Sequence, residues 1–151
     1  MKNSSVVYRE IQAFRQPWLW VLLLFSLGTT LYRWQPLGIG IMVGMLALFW
    51  FLRLEVIINE EGIGFRWLPF QRRYQFISWP QIEKISLRPY AAIGEFGGWG
   101  FRLSWRGTAQ TVAGNYGMEI KQKGKKRFLL LGTQQPDAIR QVVKQIHSIA
   151  I

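Results

Sequence analysis

The hydrophobic and polar positions of this chain follow two patterns, one in its first third and another in the rest. Residues 16–32 and 34–52 are uncharged runs of 17 and 19 residues, and Arg33 alone separates them. A helix in a soluble bundle normally presents a polar stripe, and neither run has a charged face. As a helix, each run is just long enough to cross a hydrocarbon core of roughly 27 to 30 Å. The pattern therefore predicts an antiparallel transmembrane hairpin.

Aromatic and basic residues near the two runs agree with this interpretation. The run ends carry the aromatic side chains that are typical of membrane interfaces, namely Trp18, Trp20, Tyr32, Trp34, Trp50 and Phe51. Basic residues flank the side of the termini, namely Lys2, Arg9, Arg15, Arg53 and Arg66. This excess predicts a multi-pass protein of the inner (plasma) membrane with both termini in the cytoplasm. The lipid bilayer is then its first partner.

The residues before the hairpin predict a short helix at the membrane interface. Their apolar positions recur at spacings of four, three and four, namely Val7, Ile11, Phe14 and Trp18. We therefore expect an interfacial segment at 1–15, a helical hairpin at 16–52 and a cytoplasmic domain at 53–151. Within the hairpin, Gly40 and Gly44 form a small-xxx-small pair. The expected neighbour of this pair is the first helix of the same chain, and a second copy is the alternative.

From residue 54 onward the hydrophobic period changes to that of β-strands. We expect about seven antiparallel strands, near residues 54–59, 63–68, 73–79, 82–89, 101–105, 118–121 and 128–131. Helical spacing then returns at Ile139, Val142, Val143 and Ile146. The predicted fold class is an α+β membrane protein, with a two-helix transmembrane hairpin before a pleckstrin-homology (PH)-like antiparallel β-barrel. One C-terminal helix would cap the barrel.

Several segments resemble a known family. These are the apolar hairpin, FGGWGFR at 96–102, the basic turn before FLLLGTQQP at 128–136, and the terminal helix. Together they are similar to small bacterial membrane proteins with a cytoplasmic PH-like domain, whose uncharacterised members have EFGGWGIR and IGTQ segments. The resemblance implies the barrel and the membrane anchor. It implies no catalytic residues.

The reactive side chains of the chain do not form a catalytic pattern. Cysteine is absent, the acidic residues are scattered, and the single histidine, His147, lies on the polar face of the last helix. We therefore expect no enzyme, no cofactor and no metal site. The net charge is +11, of which +8 lies in residues 53–151, and such an excess suits nucleic acid or an anionic membrane surface. Nucleic acid is not expected, because Phe101, Leu103 and Trp105 are predicted to face the core.

The first candidate site is the glycine-rich segment 94–100. Glycines permit a bend in the sheet, around which Phe96, Trp99 and Phe101 would pack. Alternatively, Trp99 is exposed on this loop, and Trp99 and Arg102 contact a partner. The sequence leaves both interpretations open.

The second candidate site is a basic turn with five cationic residues: Lys121, Lys123, Lys125, Lys126 and Arg127. Such a turn is usually a solvated neighbour of an aggregation-prone strand. Near an anionic leaflet it would also contact lipid headgroups. A specific phosphoinositide site is not expected, because the turn at residues 60–62 that corresponds to the headgroup loop of PH domains is acidic.

These observations predict a non-enzymatic, membrane-tethered PH-like module that binds a protein partner at the cytoplasmic membrane face. One alternative is a sensor of anionic lipid headgroups. Another is an accessory subunit of a membrane enzyme complex.

Overall fold

The computed structural model describes residues 6–104 and 107–146. This part of the chain contains nine strands and four α-helices, together with a short 3-10 helix at Trp79–Gln81. The strands are β1 Val6–Ala13, β2 Arg53–Asn59, β3 Gly62–Leu68, β4 Gln75–Ser78, β5 Ile82–Pro89, β6 Gly100–Leu103, β7 Gly107–Thr111, β8 Tyr116–Gln122 and β9 Phe128–Thr133. The helices are α1 Pro17–Tyr32, α2 Pro36–Phe51, α3 Ala92–Phe96 and α4 Pro136–Ile146.

The strands form two sheets rather than the predicted seven-strand antiparallel barrel. One sheet has the order β1-β2-β3-β4, and the other has the order β5-β8-β9-β7-β6. In the second sheet β7 pairs with β9 in parallel. The predicted strands all have counterparts, but β1 and β7 were missed. The short β7 carries polar residues at Thr108, Gln110 and Thr111, so its sequence lacks a strand-like apolar alternation.

The N-terminal segment is a strand, so the predicted interfacial helix is wrong. β1 pairs antiparallel with β2, from Val6 opposite Asn59 to Ala13 opposite Arg53. The prediction failed because the buried positions of β1 are polar: Glu10 is 7% exposed and Gln12 is 1% exposed. The apolar residues Val7 and Ile11 are exposed instead, and their spacing of four also fits a helix.

The helical hairpin is present, but the structure contradicts its assignment as transmembrane. α1 and α2 have 16 residues each, or about 24 Å. No helix in the described ranges is both long enough and apolar enough to cross a membrane. The charge-free runs overestimate the helices because Gln16 and Leu52 at their ends have extended backbone. The predicted multi-pass location in the inner membrane was based on these spans, so the structure contradicts it as well.

The hydrophobic core lies between the two sheets and extends to the hairpin. Its fully buried side chains come from both sheets and include Leu54, Ile58, Ile63, Ile85, Met118 and Ile120. The ring of Phe14 lies 5.2 Å from that of Phe49 in α2 and 6.5 Å from that of Trp67 in β3. α4 covers the core with Ile139 and Val143. This helix lies where the apolar spacing predicted it.

The core-facing orientation predicted for β6 is wrong. Phe101 is 58% exposed and Leu103 is 71% exposed. Their strand is an edge of the second sheet, so no element covers them there. Trp105 and His147, which were also interpreted from the sequence, lie outside the described residues.

Buried polar contacts attach β1 to the second sheet. Glu10 accepts hydrogen bonds from the Thr133 hydroxyl at 2.8 Å, from the Gln134 N–H at 2.8 Å and from the Tyr8 hydroxyl at 2.9 Å. Gln12 Nε2 donates to the Gly132 carbonyl at 2.6 Å. Burial and the neighbouring Glu10 carboxylate raise the pKa of Tyr8, so its hydroxyl stays a donor.

Glu10→Ala should reduce the free energy of unfolding by about 2 to 3 kcal/mol, because it leaves the buried Thr133 hydroxyl and the partly buried N–H of Gln134 without their acceptor. Urea denaturation would measure this loss. The matched control is Glu60→Ala, at an exposed turn position, and we expect it to stay within about 0.5 kcal/mol of wild type. Equal stability of the Glu10→Ala variant and the wild type would show that β1 is not held by this carboxylate.

Candidate binding surfaces

An apolar cleft lies where the base of the helical hairpin meets the glycine-rich segment. Its volume is about 410 Å³. Trp18 in α1 and Trp99 form its aromatic wall, with ring centroids 6.1 Å apart. Ile93, which is 71% exposed, and Arg102 also line it. We call this the hairpin-base cleft.

The glycine-rich segment has the conformation that only glycine adopts easily. Gly97, Gly98 and Gly100 have φ values of 71°, 128° and 110°, which strongly disfavour other residues. The loop is also fixed by its side chains, because Trp99 Nε1 donates to the Gly114 carbonyl at 3.1 Å and Arg102 Nε donates to the Trp99 carbonyl at 3.2 Å. Trp99 is half-buried and packs against the core, so the interpretation of an exposed Trp99 is wrong. The bend is structural, and it carries Trp99 and Arg102 to the hairpin-base cleft, where contact of the two residues with a partner stays a prediction.

The outer surface of the helical hairpin is apolar and exposed. Phe25 is 72% exposed, Leu37 is 80% exposed and Trp50 is 65% exposed. No charged residue lies within α1 or α2. Exposed apolar surface of this extent usually marks an interaction site.

The glycine pair of α2 points away from α1. A Cβ atom added at Gly40 or Gly44 would meet nothing within 4 Å, and the same holds for Gly28 in α1. By contrast, a Cβ at Gly38 would lie 3.0 Å from Thr30 Cγ2. The expectation that Gly40 and Gly44 contact the first helix is therefore wrong, and both glycines lie on the exposed surface of the hairpin.

The predicted basic turn lies at the end of its strands that is opposite the hairpin. The end of β9 that is near the hairpin contains Gly132, which accepts a hydrogen bond from Gln12. The turn connects β8 and β9 at their other ends. Its five cations do not form one patch. Lys121 pairs with Glu83 at 3.0 Å, while Lys125 and Arg127 line a separate cleft between the two sheets.

Two arginines at the hairpin base were not identified as a site from the sequence. Arg15 and Arg53 line one open cleft of about 440 Å³, together with Gln16 and Gln134. Arg53 begins β2 opposite Ala13 at the end of β1, which brings the two side chains together. In the sequence, only their positions at the two ends of the apolar runs could have indicated this site. The two arginines become neighbours through the pairing of β1 with β2.

A buried carboxylate lies on the β1–β2–β3 sheet near these clefts. Glu55 is fully buried and accepts hydrogen bonds from Arg9 and Arg66. The Arg66 guanidinium also lies 4.4 Å from the ring centroid of Tyr74. Burial alone would raise the pKa of Glu55, but hydrogen bonds from Arg66, Tyr74 and Arg9 outweigh it and hold the pKa below its usual value. The cluster therefore stabilises the sheet as an ion network.

In the residues that the structure describes, no three His, Asp or Glu side chains are grouped closely enough to hold a metal ion. Comparison with known proteins gives no match, since no family model fits the chain and no curated protein or solved structure is significantly similar to it. The resemblance to membrane-anchored PH-like proteins therefore stays a prediction.

The Glu55 network makes the free energy of unfolding depend on pH, and the direction of this dependence follows from the pKa of Glu55. The folded-state pKa lies below that of the unfolded chain, which is about 4.3. The stabilisation is therefore complete above that value and is lost as the pH falls through the folded-state pKa. Urea denaturation at several pH values in this acidic range measures the free energy of unfolding. With falling pH, this free energy should decrease more steeply for wild type than for Glu55→Gln.

The matched control is Glu61→Gln, because Glu61 is exposed in the β2–β3 turn. This variant should keep the wild-type slope. The same slope in all three proteins would contradict a depressed Glu55 pKa.

Proposed function

We propose that this protein is a non-enzymatic interaction module, and that its helical hairpin binds an apolar helix of a partner protein. The observation that carries the proposal is the exposed, charge-free surface of α1 and α2, which is continuous with the hairpin-base cleft. Contact between water and an apolar surface is unfavourable, so the free energy of the system falls when a complementary partner covers the surface.

The shape of this surface favours a helical partner. Gly28, Gly40 and Gly44 carry no side chain and have no neighbour within 4 Å of a Cβ position. A second helix can therefore approach the hairpin backbone closely at these points. Since α1 and α2 carry no charged residue, the contacting face of the partner has to be apolar as well.

The hairpin-base cleft supplies the anchor for this contact. Tryptophan and arginine are the residues that most often dominate binding energy at protein interfaces. Trp18 is 54% exposed and lies beside Trp99, while Arg102 forms a charged edge of the cleft. A partner bound at this cleft would bury the aromatic rings of Trp18 and Trp99, and Arg102 would form a polar rim around them.

Site-directed photo-crosslinking in cells tests this proposal. A photoreactive residue at Phe25 or at Ile93, both more than 70% exposed, should give a discrete adduct with another protein. The same residue at Glu60, at the far end of β2, should give none. Gly40→Leu/Gly44→Leu should lower the adduct yield about tenfold, because side chains at these two open positions would block the close approach of a second helix.

Ile41→Leu is the matched control, since Ile41 is an exposed apolar residue of the same helix and the substitution conserves its volume. It should leave the adduct yield unchanged. Adducts only with a second copy of the chain would contradict a separate protein partner. Adducts only with phospholipid would contradict it as well.

A second candidate function is binding of an anionic lipid headgroup. The observation that favours it is the pair Arg15 and Arg53 in one open cleft. Neither arginine forms an ion pair within the described residues. Guanidinium groups bind phosphate oxygens in bidentate geometry, and the exposed indole of Trp50 beside them offers an apolar surface for acyl chains.

Calorimetry with a monomeric, short-chain phosphatidylglycerol tests this candidate. Arg15→Gln/Arg53→Gln should weaken binding about tenfold, which corresponds to about 1.4 kcal/mol. Arg72→Gln/Arg73→Gln removes the same charge from the exposed turn before β4 and should have little effect. Equal weakening by both double variants, or equal binding of inorganic phosphate, would contradict a headgroup site.

A further inference from the structure

The two sheets leave an open cleft between β4 and β6. β4 pairs only with β3, and β6 pairs only with β7, in the residues that the structure describes. Each strand therefore has a free edge with unpaired backbone N–H and C=O groups. The cleft has a volume of about 470 Å³ and is lined by both strands. We call it the inter-sheet cleft.

The β4 side of this cleft has the features of a strand-binding edge. Gln75, Phe76 and Ile77 are consecutive residues of β4, and all three line the cleft. Phe76 is 41% exposed, and Phe101 of β6, across the cleft, is 58% exposed. An extended segment beside β4 would pair with its backbone and place alternate side chains between the two aromatic rings.

The charge of the inter-sheet cleft is entirely positive. Lys125 and Arg127 line it, and no acidic residue does. Both side chains are exposed, and neither forms an ion pair within the described residues. Lys121 of the same turn is paired with Glu83 instead. The cleft is thus complementary to carboxylates.

We propose that the inter-sheet cleft binds an extended, acidic segment of another protein, which adds to β4 as an additional antiparallel or parallel strand. Backbone hydrogen bonds to β4 supply affinity, and Lys125 and Arg127 select carboxylate side chains. Apolar residues at alternate positions pack against Phe76 and Phe101. This site does not include the hairpin surface. A negative result for this proposal would therefore not contradict the function proposed above.

The probe is a short fluorescent peptide of alternating Glu and Val, and fluorescence anisotropy with the full chain measures its binding. We expect binding of this peptide and none of its Lys–Val counterpart. Lys125→Glu/Arg127→Glu should weaken binding at least about tenfold. Amide hydrogen exchange should show new protection at residues 75–78 when the peptide is bound.

Lys123→Glu/Lys126→Glu is the matched control. It makes the same charge change in the same turn, and neither residue lines the inter-sheet cleft. It should weaken binding much less than the cleft variant. Equal weakening would overturn the proposal, because it would indicate attraction by net charge alone.

Two further outcomes would overturn the proposal. One is binding of a single-stranded oligonucleotide with equal affinity and the same dependence on Lys125 and Arg127, which would assign the cleft to phosphate ligands. The other is peptide binding without protection of β4, which would exclude strand addition. A Phe76→Ala variant separates these cases further, because its loss of affinity should be specific to the peptide.

Discussion

The antiparallel pairing of β1 with β2 is the constraint on which the other features depend. Ala13 lies opposite Arg53, so the chain leaves the first sheet for the helical hairpin and returns to it at neighbouring positions. The hairpin is therefore an insertion between two paired strands, with its base closed by the ladder. Buried Glu10 and Gln12 bind the first of these strands to the second sheet. Together they fix the hairpin relative to both sheets.

This arrangement separates the surface into two ends with different chemistry. The end beside the hairpin carries exposed apolar side chains, the aromatic pair Trp18 and Trp99, and the arginines at positions 15 and 53. The opposite end carries the turn between β8 and β9 with Lys125 and Arg127. An apolar helix at the hairpin and an acidic strand at β4 would contact different residues of the molecule. The domain would then connect two partners.

The sequence predicted the elements whose local pattern agrees with their final environment. α4 is an example, because one face of this helix is buried and the apolar residues Ile139 and Val143 mark that face. β1 shows the opposite case: its buried residues Glu10 and Gln12 are polar and hydrogen-bonded, while its apolar residues Val6, Val7 and Ile11 are exposed. Phe101 and Leu103 were misassigned for a related reason. Alternation identifies a strand with two different faces, but it does not tell which face another element covers.

The sequence by itself determined the positions of most strands, the terminal helix, the charge-free helical pair and the glycine bend beside Trp99 and Arg102. These follow from local periodicity and from the conformational freedom of glycine, which act over a few residues. Only the tertiary structure decided the length of the hairpin helices, the two-sheet order with its parallel pair, and the division of the basic turn between an ion pair and a cleft. Strand register and sheet edges join residues far apart in the chain, such as Gln12 with Gly132 and Ala13 with Arg53. No local pattern encodes those contacts.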